Sequence, residues 1–171
     1  MERIGKLVLM ALLLSVALVL HYIESFFPPL APGAKLGLAN IITITSLHLL
    51  GFKESMAIVL MRSVLGPILG GSPTGILFSL AGGTLSCIVM SLLYYRFRRH
   101  FSLPGISVAG AVFHNIGQML MASLIYGSIG ILFTYLPILM LASVFTGNFI
   151  GLASKYIIKF LSSKAVNARI G

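Results

Sequence analysis

The chain has 171 residues, of which 58% are hydrophobic and 9% are charged, whereas soluble domains contain about 25% charged residues. A soluble chain of this length could not bury so much apolar surface, so the composition excludes a soluble domain and indicates an integral membrane protein. A net charge of +9 would suggest a nucleic-acid partner for a soluble protein, but here the basic residues flank apolar runs and indicate membrane topology instead.

Six apolar segments predict one domain over residues 1–171, an all-α bundle of six transmembrane helices. We expect the first helix to be retained rather than cleaved as a signal peptide, because no convincing small-residue cleavage site follows it. The lengths of the second and third helices are at or below the lower end of the ~17–25 residues that a transmembrane span needs. Such short helices are typical beside a water-filled cavity. The predicted helices cover residues 7–27, 36–52, 55–69, 74–95, 106–126 and 129–156.

The distribution of Lys and Arg predicts that both termini are cytoplasmic, since positive charge accumulates in cytoplasmic loops. With the N-terminus inside, Lys35 is the only basic residue in an outer loop, and Arg62 lies within the third helix. The other ten basic residues then face the cytoplasm: Arg3, Lys6, Lys53, Arg96, Arg98, Arg99, Lys155, Lys159, Lys164 and Arg169.

Small residues recur at four-residue spacing on several helices, as expected where membrane helices approach closely. Internal packing of the bundle is the simplest interpretation, and a partner-docking face is the alternative, most plausible for the first helix. The motifs are Gly66 and Gly70, then Gly75, Ser79 and Gly83, then Gly147 and Gly151, and on the first helix Ala11 and Ser15.

Arg62 is the most informative polar residue, because it lies about 13 Å along a helix from Lys53. A charge at that depth costs at least ~2.5–3.5 kcal/mol on insertion scales and usually faces a protein interior or a cavity. Two interpretations stay open: a structural arginine paired with Glu24 or with backbone carbonyls, and a ligand-binding arginine.

Three polar residues of the fifth helix, His114, Asn115 and Gln118, share one helical face and predict a polar pocket. Asn40 lies near the outer end of the predicted second helix, and the Pro- and Gly-rich loop before that helix could act as a lid. We interpret His48 and Asn148 as packing residues. The predicted substrate-binding residues are Glu24, Lys35, Asn40, Arg62, His114, Asn115 and Gln118.

The sequence lacks the residues that several kinds of chemistry require. It contains no G-x-x-x-x-G-K-[ST] motif for ATP phosphates and no Cys, His and acid cluster at metal spacing. The three acids, Glu2, Glu24 and Glu54, are too few for magnesium-dependent diphosphate chemistry. The single cysteine, Cys87, excludes an internal disulfide. We therefore expect no cofactor, no metal and no enzymatic activity of the chain alone.

The stretch "PGAKLGLANI", with the Arg62 helix and "FHNIGQ", resembles the heptaprenyl diphosphate synthase component I family, also called the Gx transporter family. That family is similar to the substrate-binding S-components of energy-coupling factor (ECF) transporters, six-helix proteins that capture vitamins. The resemblance implies docking on a transmembrane coupling protein with ATPase subunits through an A-x-x-x-A motif. Here Ala11 and Ser15 occupy that motif, with serine in place of the second alanine.

The sequence therefore predicts a non-catalytic membrane subunit that captures a small anionic molecule, flavin-like, thiamine-like or prenyl, for ATP-driven uptake by partner subunits. The lipid bilayer is its environment, and no nucleic acid is expected. An accessory subunit of polyprenyl (heptaprenyl) diphosphate or menaquinone synthesis is the second hypothesis. A structural helper in a membrane redox complex is the third.

Overall fold

A computed structural model of the chain describes residues 3–27 and 37–167, and it describes side chains as far as residue 161. These ranges fold into six α-helices and contain no strand. The helices are α1 (Arg3–Glu24), α2 (Asn40–Leu49), α3 (Phe52–Leu69), α4 (Gly75–Arg96), α5 (Leu103–Ile125) and α6 (Gly130–Asn167).

Four of these helices, α1, α4, α5 and α6, are long and apolar enough to cross a bilayer. The 22 residues of α1 and of α4 extend about 33 Å, against a hydrocarbon core of about 30 Å. The outer face of α6 also suits lipid, because Phe133, Leu141 and Phe145 are 70%, 67% and 77% exposed. So much exposed apolar surface marks a membrane protein.

The second helix is much shorter than predicted, since α2 covers only ten residues, or about 15 Å. Residues 37–39 form a turn before it, and Gly37 adopts a φ of +80°. After it, Gly51 takes a φ of +100°, a region that favours glycine, and turns the chain into α3. Phe52 therefore belongs to α3 and not, as predicted, to the second helix.

Despite its length, α2 is the central helix and packs against all five others. Every residue from Asn40 to Leu47 is buried. Non-helical backbone at membrane depth is tolerated only inside protein or beside a cavity, and the turn at residues 37–39 meets that condition next to the cavity described below. The polar side chains of α2 therefore face other helices rather than lipid.

The other helices differ from prediction mainly at their ends. The first helix ends at Glu24 rather than residue 27, and α6 extends to Asn167 rather than residue 156. The fifth begins at Leu103 rather than residue 106, because Ser102 caps it by accepting a hydrogen bond from the Gly105 amide at 3.3 Å.

The glycine motifs pack inside the bundle, which confirms the simplest interpretation for those on α3, α4 and α6. A Cβ atom at Gly147 would lie 2.5 Å from the Val108 Cα, and one at Gly151 would lie 2.4 Å from the Pro104 Cα. Glycine thus lets α6 touch the backbone of α5. Gly66 and Gly83 also pack closely against side chains: a Cβ atom at Gly66 would lie 2.8 Å from the His21 ring, and one at Gly83 would lie 2.9 Å from Ser63 Oγ.

Candidate ligand-binding site

A small polar cavity lies where α1, α3, α4 and α5 meet the turn that precedes α2. Its volume is about 10 Å³, room for about one water molecule. The cavity is enclosed by side chains from four helices that are distant in the sequence. The lining residues are His21, Glu24, Gly37, Arg62, Ser63, Ser79, His114 and Gln118.

The cavity lies deep along the helices. Arg62 comes ten residues after Phe52, the start of α3, so it lies about 15 Å along that helix. His114 comes eleven residues after Leu103, the start of α5, about 17 Å along it. Both residues therefore lie near the middle of their own helices, which have 18 and 23 residues, whereas Glu24 is the last residue of α1. The cavity thus lies between the middle of α3 and α5 and the end of α1.

Arg62 is 4% exposed, and its Nη2 donates to Asn40 Oδ1 at 3.4 Å. The Glu24 carboxylate is close enough to attract it electrostatically. Gly83 of α4 makes room for the guanidinium, because a Cβ atom at Gly83 would lie 3.3 Å from Nη2. The cation therefore has a long neutral hydrogen bond and one acidic neighbour.

Glu24 joins the end of α1 to the entrance of α2. Its Oε1 accepts hydrogen bonds from the backbone amides of Gly37 and of Leu38, the latter at 3.4 Å. The same turn continues into α2, where the Asn40 amide donates to the Gly37 carbonyl at 2.8 Å. Glu24 therefore ties the end of α1 to the turn that precedes α2, on either side of residues 28–36 in the sequence. That segment, with the predicted site residue Lys35, lies outside the described residues.

Two buried polar nitrogen atoms beside the cavity lack partners. Within residues 3–27 and 37–161, neither Asn40 Nδ2 nor His114 Nδ1 has a hydrogen-bond partner, although the two residues are 0% and 6% exposed. A Cβ atom at Gly37 would lie 3.0 Å from Asn40 Nδ2 and 3.6 Å from His114 Cδ2, so both side chains reach the same place. Because buried polar atoms are nearly always satisfied, this place suits a water molecule or a ligand group.

Gly82 brings α5 up to the cavity. A Cβ atom at this position would lie 2.8 Å from both the Gln118 Cγ and the His114 carbonyl oxygen. Only a glycine allows α4 and α5 to approach so closely without displacing backbone. The approach buries Gln118 to 1% exposure and places its amide in the cavity wall.

The structure does not bring every predicted residue to the cavity. Asn115 faces α6, where its Nδ2 donates to the Leu139 carbonyl at 3.2 Å and to Ser143 Oγ at 2.8 Å. The prediction placed Asn115 on the same functional face as His114 and Gln118, and the structure separates it from them. The reason is that residues one position apart point about 100° apart around a helix.

The remaining predicted residues lie elsewhere on the surface or at the far end of α2. Ala11 and Ser15 are exposed on α1, and Ser15 Oγ donates to the Ala11 carbonyl at 2.9 Å. His48 Nδ1 hydrogen-bonds the Tyr94 hydroxyl at 2.6 Å, in line with a packing role. Asn148, predicted as a packing residue, is exposed, and its Nδ2 donates to the Val144 carbonyl within α6 at 2.8 Å.

Sequence reasoning missed four lining residues: His21, Gly37, Ser63 and Ser79. His21 precedes Glu24 by three positions, which places both on one face of α1, so this spacing was a readable signal. Ser63 Oγ donates to the Ser79 carbonyl at 3.0 Å. These serines join α3 to α4 at the cavity, and nothing in their local sequence distinguishes them from packing serines.

A comparison with protein families matches residues 13–157 to the model described as heptaprenyl diphosphate synthase component I. The chain belongs to the heptaprenyl diphosphate synthase component I family. No curated protein and no solved structure matches it. The family name describes one component of a synthase and assigns no role to individual residues, so the geometry of the cavity has to indicate what this member of the family binds.

The arrangement can bind a charged group. The cavity combines one guanidinium, one carboxylate, two imidazoles and one side-chain amide. Among the described residues, no group of three His, Cys, Asp or Glu is placed to hold a metal ion. A guanidinium with an unpartnered side-chain amide donor, Asn40 Nδ2, beside it is a recognition surface for an anion.

Proposed function

We propose that this member of the heptaprenyl diphosphate synthase component I family is a non-catalytic membrane subunit that binds a small anionic molecule. The observation that carries the proposal is Arg62, buried near mid-membrane with a long hydrogen bond to Asn40. Burying a cation there is costly. An anionic ligand group between Arg62 and the unpartnered amide donor of Asn40 offsets that cost.

The proposed topology has six membrane crossings with both termini in the cytoplasm. The Lys6–Glu54 ion pair supports it, since the pair places the start of α1 beside the start of α3. In this topology α2 and the turn at residues 37–39 belong to the second crossing. The positive-inside rule then orients the bundle with the start of α1 in the cytoplasm, because Arg3 and Lys6 precede or begin α1 and Arg96, Arg98 and Arg99 follow or end α4.

The ligand is proposed to enter from the side opposite the start of α1, where α1 ends and residues 28–36 follow. A cavity of about 10 Å³ is too small for any vitamin-like molecule, because ligand pockets usually measure ~300–1,000 Å³. Binding therefore requires opening of the bundle at this end. Release of Glu24 from the Gly37 and Leu38 amides is the simplest opening step, because those two bonds close the base of the segment.

Partner subunits are proposed to drive transport, since the sequence has no phosphate-binding loop of its own. They would be a transmembrane coupling protein and ATPase subunits. The exposed Ala11 and Ser15 on α1 are the proposed docking surface, because small residues let a second helix approach closely.

The family name favours a second candidate function, an accessory membrane subunit of polyprenyl (heptaprenyl) diphosphate or menaquinone synthesis. A prenyl diphosphate would offer an anionic head to Arg62 and an apolar tail to the surrounding helices. Both candidate functions thus use the same anion-binding site, and they differ in what happens to the ligand after it binds.

Native mass spectrometry of the protein purified from membranes tests the shared site. We expect one copurifying anionic small molecule with the unchanged protein and none with Arg62→Met. The Asn148→Leu protein is the matched control, because Asn148 is exposed and bonds only within its own helix. An uncharged molecule that is retained equally by all three proteins would contradict the proposal.

Coexpression distinguishes the two functions. Partner-dependent uptake of the copurifying molecule into cells supports the transport subunit. A change in the amount or chain length of prenyl diphosphate, without uptake, supports the accessory subunit.

A further inference from the structure

A second concave site lies on the outside of the bundle, between the beginnings of α1 and α3. It is a groove of about 400 Å³, far larger than the internal cavity. Arg3, Lys6, Lys53 and Glu54 form its polar end, and its apolar part consists of Leu7, Met10 and Ala57. We refer to it as the α1–α3 groove. Neither the family name nor the proposed function accounts for it.

The polar end of the groove carries uncompensated positive charge. Lys6 Nζ contacts Glu54 Oε1 at 2.5 Å, so that carboxylate is already engaged. Within the described part of the chain, Arg3 and Lys53 have no ion-pair partner, and both are exposed. Two free cations therefore flank a neutralised pair, and the groove is complementary to an anionic group.

The apolar part of the groove continues from this polar end toward the hydrocarbon. Leu7 is 64% exposed, and Met10 lies one turn further along the same face of α1. Ala57 faces them from α3, where its small side chain leaves the groove open. The groove thus places a cationic end beside an apolar wall, in the order in which a phospholipid presents its phosphate and its acyl chain.

The groove borders the proposed docking surface of α1. At 100° per residue, Arg3, Lys6 and Met10 lie on the same side of α1 as the buried residues Leu13 and Ala17. Leu7 precedes Ala11 by four positions and lies only about 40° from it around the helix. The apolar part of the groove therefore meets the edge of the surface formed by Ala11 and Ser15.

We propose that the α1–α3 groove binds one anionic phospholipid, with the headgroup phosphate between Arg3 and Lys53 and an acyl chain along Leu7, Met10 and Ala57. Basic pockets between transmembrane helices recognise anionic headgroups in this way. The bound lipid bridges α1 and α3 at the end opposite the internal cavity. This inference does not depend on the proposed function.

Native mass spectrometry with added lipid tests the proposal. The unchanged protein should retain one phosphatidylglycerol molecule in preference to phosphatidylcholine. Each removed cation should weaken retention about fivefold, so the Arg3→Gln/Lys53→Gln protein should bind phosphatidylglycerol ~25-fold more weakly. The control is Lys155→Gln/Lys159→Gln, which removes the same charge from exposed positions on α6, and its affinity should stay within about twofold.

The apolar half of the site is tested separately by Ala57→Phe, which fills the groove without changing charge. It should also weaken phosphatidylglycerol binding, and thermal unfolding should show that the protein remains folded. Inorganic phosphate at millimolar concentration should not displace the lipid, because it lacks the acyl chain. Equal loss of binding in the α6 control, no preference for the anionic lipid, or full displacement by phosphate would each overturn the proposal.

Discussion

Replacing Arg62 by Met tests the candidate site most directly, because it removes the charge and keeps the length of the side chain. Arg62 is 4% exposed and donates to Asn40 at 3.4 Å, near the outer limit of a hydrogen bond. A guanidinium has five N–H donors, so donors remain for a ligand. Loss of one bond to a charged group costs ~1.5–3 kcal/mol, or about 10- to 150-fold in affinity.

Stability distinguishes a ligand-binding arginine from a structural one. Removing one member of a buried ion pair costs ~3–5 kcal/mol, so a purely structural pairing of Arg62 with Glu24 predicts severe destabilisation by Arg62→Met. The Arg62→Met/Glu24→Gln protein should then recover stability, because neither charge remains. Binding should stay weak in both proteins if Arg62 contacts the ligand.

The assay measures affinity for inorganic diphosphate, and for any copurifying anion, alongside thermal unfolding in detergent. Two polar residues of α5 serve as internal controls. Gln118→Leu should weaken binding by ~0.5–1.5 kcal/mol, about 2- to 13-fold, because Gln118 lines the cavity. Asn115→Leu should lower stability and leave affinity unchanged, because Asn115 bonds α6. Unchanged affinity in stable Arg62→Met protein would refute the assignment of Arg62 and the anionic ligand with it.

Three further outcomes are expected. A cysteine at exposed Ser72 should react with an impermeant thiol reagent from outside the cell and one at Ser102 should not; the reverse pattern would contradict the topology. The purified chain should neither hydrolyse ATP nor elongate prenyl diphosphates with magnesium, and product detected by chromatography would overturn this. Gly117→Ala should cost ~1–3 kcal/mol in thermal stability, because its Cβ would lie 2.6 Å from the Ala81 carbonyl oxygen; Gly5→Ala, which meets nothing within 4 Å, is the control.

The sequence predicted helix number and type well because both depend on local properties. Runs of apolar residues and their flanking charges indicate membrane helices wherever they occur. The length of α2 was not predictable in this way, since residues 36–39 are as apolar as the helix that follows them. Helix α2 starts at Asn40, just after the turn whose Gly37 and Leu38 amides donate to Glu24. Glu24 lies 16 residues before Asn40 in the chain, so local sequence does not reveal this contact.

The candidate site also combines features that the local sequence predicts with features that only helix packing decides. Arg62, Glu24, His114 and Gln118 were predictable because charged and amide side chains are costly in a membrane wherever they stand. The convergence of these four residues on one cavity depended on how α1, α3, α4 and α5 pack. Packing also decided that Asn115 points away from the cavity, because the position of α6 determines which face of α5 it contacts.

By itself, the sequence determined that the chain is a helical membrane protein and that a few polar residues must be shielded from lipid. Hydrophobicity and desolvation act on each segment separately, so they can be read from local composition. Only the tertiary structure decided that α2 is a short central helix and that Gly82 and Gly83 let α3 and α5 close a polar cavity around Arg62. Those features arise from close contact between segments far apart in the chain, and steric fit of that kind leaves no periodic pattern in the sequence.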